Sequence, residues 1–408
     1  MFSFRTTSFF EQPDLVLKRG KLGVLCNQTA WNPERGEYLF ESVAKMGKLT
    51  KVFMPEHGLF GELQDQVKLN SGDAYNKLLE GVEFISLYGS KEESLAASLK
   101  DLQEIDALIV ELQDVGCRYY TYLSTVFNLF KVLKANEIDL PVYIIDRINP
   151  AGRQVEGTAL KPGYSSFIGI EGLVHRHGLT FGEIAYMLYN EINAKFPLHI
   201  ISYKASAVNR DLMPWSIPPS PNFPGLFTAH FYSGQCLWEG TNVSEGRGTT
   251  RPFEMFGAPY MEKLSGYCKE NGLQGWNDPK CPIADEGVYV RWMRFIPTFH
   301  KWQDECCFGF QFLPNPNMQY HALAHNLRVI RFLHDNCAEF EFRPGKYEAG
   351  NDKTAIELLL GDKVLVDYVA GNGDWHDIKE HIKVEEQKWI RKAKKALLYE
   401  EEQLYRIK

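Results

Sequence analysis

The chain predicts an α/β fold, with a Rossmann-like open and mainly parallel sheet in an N-terminal domain, a smaller α+β C-terminal domain, and a cleft between them. Three observations predict it. Short apolar runs alternate with helix-period segments throughout the first half. At 408 residues the chain is too long for one ordinary core and suits two. The texture then changes after about residue 210, where MPWSIPPSPNFPGLF (213–227) carries five prolines and opens a Gly-, Pro-, Asn- and Trp-rich stretch with little periodicity. The boundary is placed there, giving domains 1–225 and 226–408.

In order, the predicted strands of the first domain are KLGVLCN (21–27), TKVFMP (50–55), VEFISLYG (82–89), DALIVEL (106–112), PVYIID (141–146) and LHIISYKA (198–205). Each is a short apolar run followed by turn chemistry, as a strand buried on both faces requires. Between the fourth and fifth lies YLSTVFNLFKVLKAN (122–136), whose Leu123, Val126, Phe127, Phe130 and Leu133 recur at helical spacing on one face. A second helix opens at Thr180, where TFGE reads as a capping box and gives Glu183 a structural role. Farther on, VYVRWMRFIPTF (288–299) and ECCFGFQFLP (305–314) read as strands. The segment 385–405 reads as a helix with Trp389, Ala393, Ala396 and Leu397 as a buried stripe.

Composition narrows the function. A net charge of -7 without any Lys/Arg block leaves no footprint for nucleic acid. No apolar run reaches the length of a membrane span. MFSFRTTSFFEQPD at the N-terminus lacks the apolar core of a signal peptide, which predicts a cytoplasmic protein, or a periplasmic one if a leader has been removed. The eight cysteines have neither C-x-x-C pairs nor a repeated spacing, and read as packed free thiols. No phosphate loop, no G-x-G-x-x-G after the first strand, no H-E-x-x-H and no G-x-S-x-G elbow is present. HRHG (175–178) lacks a further residue at ligand spacing, so the sequence calls for no metal and no cofactor.

Carboxylates with amide and aromatic neighbours remain. Parallel sheets bind ligands beyond the carboxyl ends of their strands, and the predicted strands end in Asn27-Gln28, Glu56-His57, Tyr88-Gly89, Glu111 to Asp114, and Asp146-Arg147. Glycoside cleavage needs a carboxyl that holds its proton until the leaving oxygen accepts it, and commonly a second carboxylate. Glu56, among Phe53, Met54, Leu59 and Phe60, has the apolar setting that raises a carboxyl pKa. QDVGCRYYTY (113–122) adds Asp114, the Arg118 fork, and the rings of Tyr119, Tyr120 and Tyr122.

PEHGLFG (55–61), ELQDVGCRYYTY (111–122), DRINPAG (146–152), SFIGIEGLVHRHGLTFGEIA (166–185), PPSPNFP (218–224) and LWEGTNVSEGRGTTRPFEMFGAP (237–259) resemble, in order, the blocks of the NamZ family of exo-β-N-acetylmuramidases. The resemblance is specific from about residue 20 to 260 and weaker beyond. It implies release of terminal N-acetylmuramic acid from the non-reducing end of peptidoglycan fragments, with peptidoglycan-derived saccharides as partners. It further implies that Glu56 is essential, with His57 beside it, and it marks the blocks at 113–122 and 240–249. Two departures occur: Ile148 stands where the family usually has proline, and HRHG replaces a hydrophobic residue or proline before R-H-G.

N-acetylmuramic acid carries a lactyl carboxylate, so Arg118, Arg176 and Arg247 are candidates to clamp it. Arg247 is expected to close over the ligand with Asn242 and Ser244. Asn27, Gln113, Tyr119, Tyr122, His177, Asn222 and Glu245 complete the expected binding set. Glu56 is assigned as general acid and Asp114 as second carboxylate, with Glu111, Glu171 and Glu245 as alternatives. Retention and inversion stay open at this stage, as do a non-catalytic sugar-binding role and another small-molecule hydrolase on the same fold.

Overall fold

The apolar runs of the first half pair as parallel strands. In the computed structural model, which describes residues 3–5, 20–63, 75, 78–88, 97–202, 217–348, 351–399 and 403–407, they are β1 (Ser3–Arg5), β2 (Leu22–Cys26), β3 (Leu49–Met54), β4 (Glu83–Ser86), β5 (Ala107–Glu111), β6 (Val142–Ile145) and β7 (Leu198–Ile201). Gly89, residues 203–205 and residues 213–216, read above as strand ends and proline-rich segment, lie outside the described residues. The spatial order is β4-β3-β2-β5-β6-β7-β1, with every neighbouring pair parallel. Leaving out β1, this is the doubly wound order that reverses direction between β2 and β5, and loops leaving those two strands splay to opposite sides there. Beyond the six expected strands, the three-residue β1 extends the edge, too short to give a periodic signal of its own.

Burial explains the continuous apolar runs. Every residue of β2 and β5 is buried. Val24 and Cys26 pack toward α1 (Leu39–Lys45), and Leu25 packs on the other face, with Leu123, Val126 and Phe130 of α3 (Tyr122–Ala135). Between them in sequence is the short α2 (Leu99–Gln103), capped by the Ser98 side chain. The expected face of α3 is buried, apart from half-buried Phe127. The capping box forms at the head of α4 (Phe181–Glu191): Thr180 accepts from the Glu183 N–H, and the Glu183 carboxylate accepts from the Thr180 N–H at 2.9 Å.

The second half adds α5 (Leu226–Gln235), an antiparallel sheet of β8 (Met255–Ala258), β9 (Val288–Phe295) and β10 (Cys307–Pro314) in the order β8-β10-β9, and then α6 (Ala322–Asn336), α7 (Ala355–Leu360), α8 (Lys363–Val369) and α9 (Trp375–Ala393). The core on the α3 face of the large sheet continues without a break into this half through Trp238, Phe256, Phe310 and Leu327. All eight cysteines are unpaired and six are buried. No helix among the described residues is long and apolar enough to cross a membrane.

The terminal helix is shorter than its sequence pattern. α9 ends at Ala393 and one tight turn follows, with Trp389, Ala393 and Ala396 buried and Leu397 half-buried. Ending there lets Tyr399 reach back to the large sheet, where its hydroxyl donates to Asp146 Oδ2 at 2.7 Å. Asp146 also accepts from the Thr180 hydroxyl at 2.8 Å and from the Gly182 N–H at 2.6 Å. Burial pushes its carboxyl from 3.8 up to about 7. The folded state therefore binds this proton more tightly than the unfolded chain, and the associated stability is full below pH 3.8 and lost as pH rises through 7. Tyr399→Phe removes a donor to the anion, so its deficit, about 1–3 kcal/mol in urea unfolding at pH 8, should shrink toward pH 5. An equal deficit at both pH values would contradict this assignment.

Candidate functional site

The switch point brings together the loops after β2, β3 and β5, and the polar residues expected at strand ends sit there. After Met54 the chain reverses through a tight turn in which His57 is left-handed at φ 73°, followed by Gly58 at 86°. A β-carbon at Gly61 would lie 2.3 Å from the Gln28 amide, so the β2 and β3 loops are in direct contact. His57 Nδ1 lies 2.9 Å from the Leu63 carbonyl, which makes it the donor and clasps the turn from within. Glu56 is thereby held 8 % exposed, and its Oε2 accepts from the Thr121 hydroxyl at 2.5 Å at the head of α3.

The β5 loop is equally constrained. Asp114 Oδ1 accepts from the Gly116 N–H at 2.7 Å, closing a turn in which Gly116 has φ 82° and a β-carbon there would strike the Asn149 side chain at 2.2 Å. Gln113 donates to the Asp114 and Ile148 carbonyls at 2.8 and 3.1 Å. His177 Nδ1 accepts from the Leu179 N–H at 3.1 Å, so the imidazole carries its hydrogen on Nε2, which points toward Asp114 Oδ1 at 3.7 Å. Among the described residues, Asp114 Oδ2, Gln113 Oε1 and His177 Nε2 are buried without a hydrogen-bond partner. Two acceptors and one donor are thus left unsatisfied at the carboxyl edge of β5, where a polar ligand would pair them. Tyr122 feels the charges of both Glu56 and Asp114, and burial together with them drives its phenol upward.

Other expected binding residues hold the fold together instead. Arg118 is 1 % exposed and donates to the carbonyls of Thr158, Leu173, Leu359 and Leu360 at 2.8–3.0 Å, with His175 Nε2 at 3.0 Å. A guanidinium so engaged does not reach a ligand carboxylate. Arg176 is likewise buried, 2.8 Å from Glu156 and against the Ala151 carbonyl. Asn27 is satisfied by Tyr122, Pro219 and Thr29, and the Tyr122 hydroxyl donates to the Pro219 carbonyl at 2.5 Å. Tyr119 donates to the Ser233 carbonyl at 2.9 Å. Asn242 bridges Glu339, Tyr260 and Glu341, and Ser244 accepts from the Gly246 N–H, so both organise their own loop.

Arg247 Nη2 donates to Glu239 at 2.6 Å and its Nε lies 3.0 Å from Glu245. Glu245 is fully buried between Lys301 at 2.9 Å and His300 at 3.2 Å, and the Lys301 and Arg247 charges with the His300 hydrogen bond outweigh burial and hold its carboxyl well below the usual range. It is an ionised structural group, and Glu111 is likewise engaged within the fold, 3.3 Å from Arg147. Glu171 is exposed, and Asn222 is buried at the loop after Ser220. Three carboxylates do converge at Glu83, Asp101 and Glu104, but the Lys51 ammonium sits among them at 2.7–2.9 Å and supplies the positive charge.

Two groups that act on or feel Glu56 escape a reading of the sequence. Thr121, hidden between tyrosines, positions Glu56. Glu348, in the irregular stretch EFRPGKYEAG, carries a carboxyl raised by burial and further by the charge of Glu56, although the Phe167 and Ile168 N–H groups act against both.

Two family models match the chain: "Exo-beta-N-acetylmuramidase NamZ, N-terminal" over residues 22–226 and "Exo-beta-N-acetylmuramidase NamZ, C-terminal" over residues 230–399. The peptidoglycan beta-N-acetylmuramidase NamZ of Bacillus subtilis strain 168 is 36% identical over 328 residues, 78% of this chain and 74% of that protein. Crystal structures of two DUF1343 family proteins from Bacteroides fragilis superpose with TM-scores of 0.74 and 0.67 at 24% and 26% identity. The first covers 96% of this chain and 97% of its own, the second 94% and 95%; they share the fold described above.

The structural role of Arg118 has a direct test. Arg118→Lys keeps the charge but cannot satisfy four carbonyls, so it should cost about 3 kcal/mol or more in urea unfolding. A variant as stable as the parent would return Arg118 to the ligand.

Proposed function

This chain belongs to the NamZ family, and we propose that it removes terminal N-acetylmuramic acid from the non-reducing end of peptidoglycan fragments with Glu56 as proton donor. The observation that carries the proposal is the mounting of Glu56. It follows a strand of the central sheet, is held by a left-handed turn, is almost fully buried, and faces the Thr121 hydroxyl. A donor must be rigid, because proton transfer to a glycosidic oxygen depends on sub-ångström placement. It must also be sheltered from water, so that the neutral form persists near pH 7.

The neighbouring groups suit a saccharide. A sugar presents hydroxyls and an acetamido group, each able to donate and accept, and Asp114 Oδ2, Gln113 Oε1 and His177 Nε2 are buried groups in want of such partners. Pairing them offsets a desolvation cost of about 1–3 kcal/mol each. Asp114 in this reading binds and orients the ring, since its other oxygen is committed to the Gly116 turn. The activity of the Bacillus subtilis relative, named for peptidoglycan and β-N-acetylmuramic acid, supports the same substrate class.

Leaving-group dependence tests the role of Glu56. Glu56→Gln should lower kcat/KM about 10³-fold on a muramic acid glycoside with a sugar leaving group. With 2,4-dinitrophenolate, which departs without a proton, the loss should stay within about tenfold. Equal losses on both substrates would remove Glu56 from the donor role. Release from the glucosamine analogue as fast as from the muramic acid glycoside would remove the substrate assignment, and binding without release from either would make the chain a sugar-binding protein.

A further inference from the structure

We propose that Glu348 is the second carboxylate of this site, supplied by the C-terminal half and serving the attack on the anomeric carbon; the proposal rests on the glycosidase reading above. Position comes first. Glu348 Oε2 accepts from the Phe167 N–H at 3.0 Å and Oε1 from the Ile168 N–H at 3.3 Å. The Phe167 ring lies 5.9 Å from the ring of Tyr88, which leaves the end of β4. β4 pairs directly with β3, the strand that ends at Glu56. Glu348 is thus anchored over the same edge of the sheet that carries Glu56. Its neighbour Tyr347 donates to Glu239 at 3.1 Å, and Glu239 in turn holds Arg247, so the chain at 347–348 runs from the Arg247 cluster to the Glu56 rim.

The chemistry of its surroundings sets Glu348 apart. Glu156, Glu183 and Glu245 each face an arginine within hydrogen-bonding range. Glu348 has no cationic partner among the described residues and is held only by backbone N–H groups and Ser166. It is half-buried, and the negative charge of Glu56 reaches it. The two carboxyl groups are thus near enough for the charge of one to act on the other. A donor and an acceptor of protons in one glycosidic cleavage have to share a site.

In the step proposed, the Glu56 proton passes to the glycosidic oxygen as the bond from C1 to that oxygen breaks. Glu348, ionised, takes a proton from a water molecule whose oxygen forms the new bond to C1. The products are the free sugar and the shortened saccharide, with the proton now on Glu348. Its return to Glu56, directly or through solvent, completes the cycle.

The test compares variants by leaving group. Glu348→Gln keeps the size of the side chain but cannot accept a proton, and should lower kcat at least 100-fold on the sugar and dinitrophenyl glycosides alike, with KM within a few-fold. The Glu56→Gln loss, in contrast, is confined to the sugar leaving group. Glu348→Ala should regain activity on the dinitrophenyl substrate in millimolar azide, with glycosyl azide as product, because azide attacks without a base. If Glu348 only anchors the 166–168 loop, neither azide nor any other nucleophile restores the alanine variant, and that result overturns the proposal. Wild-type activity that survives Glu348→Gln overturns it alone, with the glycosidase reading intact. A wild-type protein that releases no sugar from either substrate overturns both.

Discussion

A single buried guanidinium ties the two halves of this molecule at the point where the site is built. Arg118 lies in the loop between β5 and α3, and its donors reach the carbonyls of Leu359 and Leu360. These are the last carbonyls of α7, which the helix itself cannot satisfy and whose partial negative charge favours a cation. The helix stops there because Gly361 adopts φ 57°, and a β-carbon at that position would fall 2.2 Å from Leu160 and 2.9 Å from the Arg118 guanidinium. Burial lowers the Arg118 pKa from 12.5 to about 10, which still leaves it charged at neutral pH. Without a carboxylate partner it depends on several carbonyl dipoles at once. Three residues later comes Thr121, the hydroxyl that holds Glu56. Arg118 therefore acts on the site through the register of the β5–α3 loop, without touching a ligand.

Four acids with shifted carboxyls show how partners decide the direction. Glu156 is kept low by His321 and Arg176, and Glu245 by Lys301, Arg247 and His300, in each case against the penalty of burial. Such groups are fixed anions that cannot exchange a proton near neutrality. Asp146 and Glu348 are raised, because burial prevails where hydroxyls and backbone N–H groups are the main partners. Of these two, Asp146 is closed off beneath the tail at Tyr399, and Glu348 lies within reach of the charge of Glu56.

The sheet was legible because parallel strands buried on both faces leave a plain signature: Leu22–Cys26, Leu49–Met54 and Ala107–Glu111 are apolar runs ended by polar turn residues. The switch point followed from the rule that ligands meet strand ends, and Glu56, Gln113 and Asp114 do gather there. Arginines were harder to read. Between glycines and aromatics, Arg118, Arg176 and Arg247 look like ligand clamps, and the sequence carries no mark of the carbonyls and carboxylates that engage them from 55, 25 and 8 or fewer positions away or, for Leu359 and Leu360, from more than 200. Burial of a cation is a tertiary fact. Glu348 was invisible for the converse reason, since PGKYEAG has no periodicity and reads as a solvated loop until the Phe167 and Ile168 N–H groups are seen to fold over it.

These contacts imply a division of labour between the two halves. The N-terminal sheet contributes rigidity, because a strand terminus backed by a left-handed turn cannot drift without breaking the β3 ladder or the contact of Gly61 with Gln28. The C-terminal half contributes a carboxylate on irregular chain, held at both oxygens by backbone N–H groups and at its neighbour Tyr347 by Glu239. A group mounted in this way gains its position only when the two halves are docked, so an N-terminal domain separated from its partner would retain Glu56 and lose Glu348. Arg118 makes such separation costly, since pulling α7 away would leave a buried cation facing two fewer carbonyls. Stability of the docked state and the placement of Glu56 thus rest on the same loop, in which Arg118 and Thr121 are three residues apart.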